Sequence, residues 1–259
     1  MTEDEIRRFR DDGFLRGPQL LSGAALEEVR AAADRVTDRT SPGLAHLFAY
    51  RRDGADQTLR LLAVGTWRAE PVIRDLAFDP QVYGAIAALM RVERVRLFRD
   101  QLFVKPAHSS GAIPWHQDYS DWVHTMPAAH ITCWVALDDA TIENGCLHFV
   151  PGRVEATLPR IHRDDDMDSA FARLPQPMRE NFQPVSIPVP AGGCLFHHCL
   201  TVHASFGNRT ERPRRAIAIS YMHPDTISKG CHPCVPGGQV IPEGERLEGP
   251  LFPLLEARP

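Results

Sequence analysis

Pro114-Trp115-His116-Gln117-Asp118 sets a histidine and an aspartate two residues apart. On an extended segment, residues i and i+2 project from the same side, so an imidazole and a carboxylate lie next to each other with nothing between them. One more histidine from a distant strand completes a set of two histidines and one carboxylate. Such a facial triad leaves coordination positions open and suits a non-haem Fe(II) that must also bind a co-substrate and O₂. Downstream, His197, His198 and His203 compete for the third place, in Cys194-Leu195-Phe196-His197-His198 and Thr201-Val202-His203-Ala204-Ser205. The tripeptide alone is weak evidence, and its weight comes from the residues around it.

Gly145-Cys146-Leu147 leads through Phe149 to Pro151-Gly152, a strand ending in a turn. The run from Cys194 to His203 continues to Asn208-Arg209-Thr210, another strand ending in a loop. Arg214 then opens Arg214-Arg215-Ala216-Ile217-Ala218-Ile219-Ser220-Tyr221. With a period of two, Arg214 shares a face with Ala216, Ala218 and Ser220, all small, which leaves room for a ligand. Arg215 shares the other face with Ile217, Ile219 and Tyr221, which read as packing. A guanidinium in a cavity binds a carboxylate through two parallel hydrogen bonds, so Arg214 is the better candidate for an anion-binding arginine.

This ordered set resembles the phytanoyl-CoA dioxygenase family of Fe(II)/2-oxoglutarate-dependent oxygenases, over roughly the whole chain from the N-terminal helices to about Tyr221. The resemblance implies a double-stranded β-helix, with Fe(II) as cofactor and 2-oxoglutarate and O₂ as co-substrates. In the family the arginine follows the distal histidine by eleven residues, which selects His203 together with Arg214. His116, Asp118 and His203 are then the catalytic iron ligands, and His197 and His198 become strand residues packed nearby. Arg214 holds the distal carboxylate of 2-oxoglutarate, and Ser205 donates a hydroxyl to it. Trp134 and Gln101 match family positions that touch 2-oxoglutarate, while Lys105 is family-like without an assigned role. Many members continue Ser-His after the glycine at 152. This chain has Arg153-Val154 instead, which puts substrate contacts there in doubt and leaves the iron ligands untouched. Related halogenases carry a small residue where Asp118 stands, so the carboxylate disfavours halogenation.

The elements that must position these residues follow from pattern. Thr2-x-x-Glu5 predicts a capping box on a helix to about Asp12, and Ser22 caps a second helix to about Thr37. Pro71–Phe78 and Pro80–Met90 read as helices with proline at the start. Arg51-Arg52-Asp53-Gly54 reads as a turn. From Arg94 to Lys105 the period is two, with Arg99, Gln101, Phe103 and Lys105 on one face and Phe98, Leu102 and Val104 on the other. His130–Leu137 alternates likewise, and strands follow near 146–150, 184–189, 194–200 and 214–222. Helices first and strands after is an α+β order with a mainly β core. We expect one domain over 1–259: a helical part (1–91), a β core (92–223) and an irregular surface tail (224–259). The charged insertion 151–184 is either a solvated excursion or a lid.

At 259 residues the chain is long enough for one sizeable core. Hydrophobic residues at 43% and charged residues at 24% are ordinary for a globular protein, and a net charge of −4 gives no support to nucleic-acid binding. No apolar run reaches membrane-spanning length, and the acidic N-terminus is no signal peptide, so the expectation is a cytoplasmic protein. The cysteines read as buried thiols. Cys231-His232-Pro233-Cys234 lacks a second pair at zinc-finger spacing, which favours a loop over a zinc site. Lys105 and Lys229 are the only lysines, a composition pointing to a GC-rich bacterial source. The expected activity is hydroxylation of an unactivated C–H in a small molecule of bacterial secondary metabolism. Desaturation, cyclisation or epimerisation at the same site, or a silent or other-metal cupin-like protein, are the alternatives. Ala45–Trp67, Tyr119–Met126 (with Asp121, Trp122 and His124) and the insertion are the segments that would read the substrate, with Arg51, Arg52 and Arg68 available to an acid.

Overall fold

Thr2 accepts a hydrogen bond from the Glu5 N–H, and the Glu5 carboxylate accepts one from the Thr2 N–H, which closes the predicted capping box on α1 (Glu3–Asp12). Gly13, at φ 83°, ends that helix in the left-handed region. The computed structural model describes residues 1–37, 48–51, 61–152, 156–160, 165–230, 233–235 and 237–257. After α1 come β1 (Phe14–Gln19), α2 (Gly23–Thr37), β2 (Phe48–Arg51), β3 (Leu61–Val64), α3 (Pro71–Ala77) and α4 (Pro80–Met90). Next are β4 (Arg94–Lys105), β5 (Ile113–His116), β6 (Thr125–Met126), β7 (His130–Ala136) and β8 (Leu147–Phe149). The rest comprises α5 (Met167–Ala172), α6 (Gln176–Glu180), β9 (Val185–Ile187), β10 (Gly193–His198), β11 (His203–Ser205), β12 (Arg214–Met222), β13 (Ile227–Ser228) and β14 (Leu254–Glu256). The predicted turn at Arg52-Asp53-Gly54 lies outside the described residues, although β2 and β3 on either side of it pair antiparallel.

Two sheets make the β core. The larger runs β1-β10-β7-β12-β4-β3-β2, with β14 also on β4, and the smaller runs β5-β11-β8-β9. This is the jelly-roll-like α+β architecture that the element order implied. The pleat separates two apolar faces. Ile217, Ile219 and Tyr221 of β12 join Ile131, Cys133 and Val135 of β7 against Val29, Ala33, Ile73 and Ile86 of the helices. Ala216 and Ala218 turn the other way, toward Trp134, Leu147 and Phe149 between the sheets. Each fully buried Val, Leu or Ile on the helix-covered face contributes about 1.5–3 kcal/mol, so that layer holds the large sheet rigid and leaves its inner face free for small and polar residues.

Three expectations need correction. Phe98 does not share a face with Leu102 and Val104. The register passes from Ser220↔Arg99 to Tyr221↔Leu97, so β4 skips Phe98 in a bulge. Bulges re-aim side chains, and here Phe98 turns inward to pack with Trp122 and Phe252. The tail is not a surface wrapping. Cys234, Val235, Leu247 and Phe252 are buried with Phe98, Trp122 and Met222, closing one end of the core, while β13 pairs with β6 and β14 with β4. The insertion, in its described residues, is not solvated throughout. Its Leu158, Ala170 and Leu174 bury against Trp115, Val202 and Ala204, on the outer side of the small sheet. Asp166 caps α5 and Asp165 pairs with Arg173.

Among the described residues no helix is long and apolar enough to cross a membrane, and Cys133, Cys146, Cys194, Cys199 and Cys234 are buried free thiols. Cys231, and with it the possible zinc pair, lies outside the described residues.

Asp100, on the helix-covered face of β4, is fully buried and accepts a hydrogen bond from Thr66. Burial pushes its carboxyl from 3.8 up to about 6, against the pull of that hydrogen bond. A raised folded-state pKa means the native protein binds the proton more tightly than the unfolded chain between pH 3.8 and 6. Stability therefore falls as pH rises through that window, by about 3 kcal/mol. Asp100→Asn is expected to match the wild type near pH 4 and to exceed it at pH 7. Urea denaturation of both proteins at the two pH values measures the difference.

Candidate metal and 2-oxoglutarate site

β5 and β11 pair antiparallel with His203 opposite His116, so the two imidazoles start from adjacent strands of the small sheet. Trp115 and Gln117 alternate with them to the outside. Trp115 packs edge-on against Phe182 of the insertion, and Gln117 donates to the Leu200 carbonyl and accepts from the Leu158 N–H. These outer contacts pin the extended segment, so that His116 and Asp118 emerge together on the inner side. The Nδ1–H of His116 donates to the Pro114 carbonyl at 2.8 Å and that of His203 to the Thr201 carbonyl at 3.0 Å. A carbonyl can only accept, so both rings carry a proton on Nδ1, and each in its neutral form keeps the Nε2 lone pair.

Those two Nε2 atoms each lie 3.7 Å from Oδ1 of Asp118, and one ligand atom from each of the three residues lies within 4.8 Å of the others. The other carboxylate oxygen, Oδ2, accepts from His197 Nε2 at 2.9 Å and from the Thr132 hydroxyl at 3.4 Å. One oxygen is thus anchored to the large sheet and the other faces the imidazoles. Burial alone would raise the Asp118 pKa, but His203, His116 and His197 outweigh it and hold the carboxyl well below its usual range. Burial and then the neighbouring His116 push His203 down to about 3. For His116, burial is outweighed by the Asp118 carboxylate, which raises its pKa.

A part-buried carboxylate with three imidazoles around it and no cationic side chain paired to it among the described residues, beside two rings with lone pairs turned inward, fits a divalent cation. The mixed N,N,O donor set with one open side is the kind that non-haem iron takes. His197 fixes the carboxylate, and groups that orient a ligand are worth 10–100-fold in metal affinity. His197→Phe is therefore expected to weaken iron binding by about that factor with the fold intact, as read by competition with a chromogenic chelator.

Arg214 leaves β12 into the same space and is 2% exposed. Its Nη2 donates to the Gly145 carbonyl at 2.8 Å, and its Nε is buried without a partner. Gly145 sits at φ 87°, and a Cβ there would lie 2.3 Å from the Phe206 carbonyl oxygen. Only glycine can turn that carbonyl toward Arg214. Burial lowers the Arg214 pKa to about 10, which leaves it a cation at neutral pH. The Ser205 hydroxyl is likewise buried without a partner. Trp134 stands with its ring centroid 5.4 Å from the guanidinium carbon, and Gln101, opposite Ala218, lines the cavity. Arg215, by contrast, pairs with Asp138 and Asp34 at the periphery. Lys105 does not enter the cavity, because its Nζ donates to the carbonyls of Gly111, Ser205 and Phe206. It ties β4 to the loop after β11.

The cavity holding the triad and Arg214 measures about 640 Å³. Asp121, Trp122 and His124 line it as the substrate-reading segment suggested, whereas the Tyr119 hydroxyl donates to the Thr125 carbonyl and serves the core. Among the described residues of the insertion Arg160 alone reaches the wall, where it pairs with Asp121. Sequence reasoning missed Arg99 and the tail residues Pro233, Cys234, Val235, Gly237 and Gly238, all on the wall. The alternation of β4 placed Arg99 on the inner face, a signal that was present. Nothing local could bring the tail there. Arg52 and Arg153-Val154 lie outside the described residues.

The model of the phytanoyl-CoA dioxygenase family matches residues 9–216. The chain belongs to that family. Membership makes it an Fe(II)/2-oxoglutarate-dependent oxygenase, with O₂ as co-substrate. Among curated relatives, phytanoyl-CoA dioxygenase 1 of Oryza sativa subsp. japonica is 24% identical over 253 residues, covering 85% of this chain and 88% of that protein. Among solved structures, the epimerase SnoN from nogalamycin biosynthesis, in complex with Fe³⁺, alpha ketoglutarate and nogalamycin RO, is 27% identical. Its TM-score is 0.80 over 98% of each chain. The non-heme alpha ketoglutarate dependent carbocyclase SnoK from the same biosynthesis is 25% identical, with a TM-score of 0.79 over 98% of this chain and 96% of that one.

Proposed function

We propose that His116, Asp118 and His203 hold the iron, and that Arg214 with Ser205 takes the distal carboxylate of 2-oxoglutarate beside Trp134 and Gln101. The enzyme then hydroxylates an unactivated C–H of a small molecule in bacterial secondary metabolism. The observation that carries this reading is the convergence of the three ligand atoms within 4.8 Å, in one cavity with a buried arginine whose Nε has no partner. Iron and 2-oxoglutarate, held there, would supply the oxidising chemistry that such a bond requires.

The chain's own residues bind, orient and exclude water. His197 and Thr132 hold Oδ2 of Asp118 and leave Oδ1 for the metal. The Nδ1–H bonds of His116 and His203 fix each ring with Nε2 toward the metal. Arg214 and Ser205 offer the distal carboxylate hydrogen bonds deep between the sheets, where water does not compete. The tail and Trp122 close the far end.

Similarity to an epimerase and a carbocyclase supports a second reading, in which the same site delivers epimerisation or ring closure. Mass spectrometry of products formed under ¹⁸O₂ separates them. Hydroxylation adds one labelled oxygen, ring closure or desaturation removes two hydrogens, and epimerisation leaves the mass unchanged. Succinate formation that no substrate in a broad panel stimulates would contradict both.

A further inference from the structure

Arg99 is the cation for which iron and 2-oxoglutarate have no use. The alternation of β4 turns it into the cavity, and the bulge brings Phe98 beside it, with its guanidinium carbon 4.3 Å from the Phe98 ring centroid and 5.2 Å from that of Trp122. Its Nε is buried without a hydrogen-bond partner, and among the described residues no carboxylate forms an ion pair with it. Asp121, the acid that attracts it most, is itself paired with Arg160. The tail residues on the cavity wall, at 233–235 and 237–238, bring no carboxylate, and of them only the Cys234 thiol interacts electrostatically with Arg99. His130, packed on the same Phe98 and Trp122 rings, is held neutral, its pKa pushed down to about 3 by burial and then by Arg99.

A part-buried cation whose Nε is shut from water and which has no ion-pair partner carries a desolvation cost. Burial lowers the Arg99 pKa to about 10, which still leaves it charged at neutral pH. The other charged groups are answered once the centre is loaded: Asp118 by iron, the co-substrate's carboxylates by iron and Arg214, and Asp121 by Arg160. Arg99 remains. Nor can it share the ligand of Arg214. Arg214 stands opposite Lys105, six residues along β4 from Arg99, a separation of roughly 20 Å at strand spacing. Arg99 instead begins a row that crosses the large sheet through Ser220 and Thr132 to His197, at the level of Asp118.

We propose that Arg99 anchors the substrate, and that the substrate is an organic carboxylate with a flat, apolar body. Its carboxylate pairs with the guanidinium, its body lies along Trp122, and its reacting carbon sits between Arg99 and the triad. This rests on the reading of the site as an iron and 2-oxoglutarate centre. A planar fork stacked on aromatic rings is the arrangement that binds carboxylates through two hydrogen bonds.

The probes are 2-naphthoate and its neutral isostere 2-naphthamide, titrated calorimetrically into anaerobic protein containing Fe(II) and saturating 2-oxoglutarate. Wild type is expected to prefer the acid by about tenfold or more, the size of one charge-assisted contact. Arg99→Gln should reduce the preference to below about twofold, and Arg99→Lys should keep part of it. Arg214→Gln should leave it in place. The affinity for 2-oxoglutarate and the melting temperature of Arg99→Gln should match or exceed wild type, since a part-buried charge without an ion-pair partner has been removed. Equal binding of acid and amide, or an acid preference that survives in Arg99→Gln, overturns the proposal. So does a 2-oxoglutarate affinity that collapses in Arg99→Gln, which would make Arg99 part of the co-substrate site. The visible band of the iron–2-oxoglutarate complex is recorded in the same samples. If the band is absent but Arg99-dependent acid binding persists, the iron reading falls and the anchor stands.

Discussion

Asp118→Ala protein is expected to fold and to lose both iron and turnover. Removing one partner of a buried charged set costs about 3–5 kcal/mol, or roughly 10²–10⁴ in affinity. Here the partner is the only carboxylate in the triad. The fold should survive because Asp118 contributes no apolar packing, and its loss relieves a buried charge while leaving one hydrogen bond of His197 unmade. Metal analysis after desalting, together with succinate release in the presence of 2-oxoglutarate, reads both quantities. His116→Ala should behave alike. Iron retained at wild-type stoichiometry in the Asp118→Ala protein would remove the carboxylate from the ligand set.

Arg214→Ala is expected to raise the KM for 2-oxoglutarate by about 10²–10³-fold, again the cost of unpairing a buried carboxylate, with a much smaller effect on iron affinity. The split matters, because a merely structural arginine would lower the stability and the metal content together. Only the Gly145 carbonyl loses a donor, at a cost of about 1 kcal/mol. Arg214→Lys restores the charge without the fork and should recover only part of the loss. An unchanged KM would leave the distal carboxylate without its proposed partner and favour a metal centre that does not use 2-oxoglutarate.

Much of this was legible because the chain's periodicities are clean. The Thr2–Glu5 box, the helices with proline at their starts and the alternation of β7 and β12 all express local rules, and the structure follows them. Arg214 and Arg215 separate as the pleat demands, one into the cavity and the other to Asp138. What escaped was non-local. The bulge at Phe98 depends on Trp122 and Phe252 packing from distant segments, so no pattern within β4 announces it. The tail is rich in proline and glycine, which marks irregular backbone but does not say what it covers. Its burial depends on the apolar end of the core formed by Phe98, Trp122 and Met222. The packing of the insertion was hidden for the same reason: the apolar residues that bury it, such as Leu158, Ala170 and Leu174, are few and widely spaced. Spacing to the arginine chose His203 over His197, and the geometry adds why His197 is nearby, as the donor that orients Asp118.

The central claim is that these residues build one iron and 2-oxoglutarate centre. An anaerobic optical titration of metal-free protein with Fe(II) and then 2-oxoglutarate tests it most directly. We expect a visible charge-transfer band that requires both additions, is lost in His116→Ala and Asp118→Ala, and needs far more 2-oxoglutarate in Arg214→Ala. Well-folded wild-type protein that shows no band, or a band indifferent to Asp118, would contradict the account.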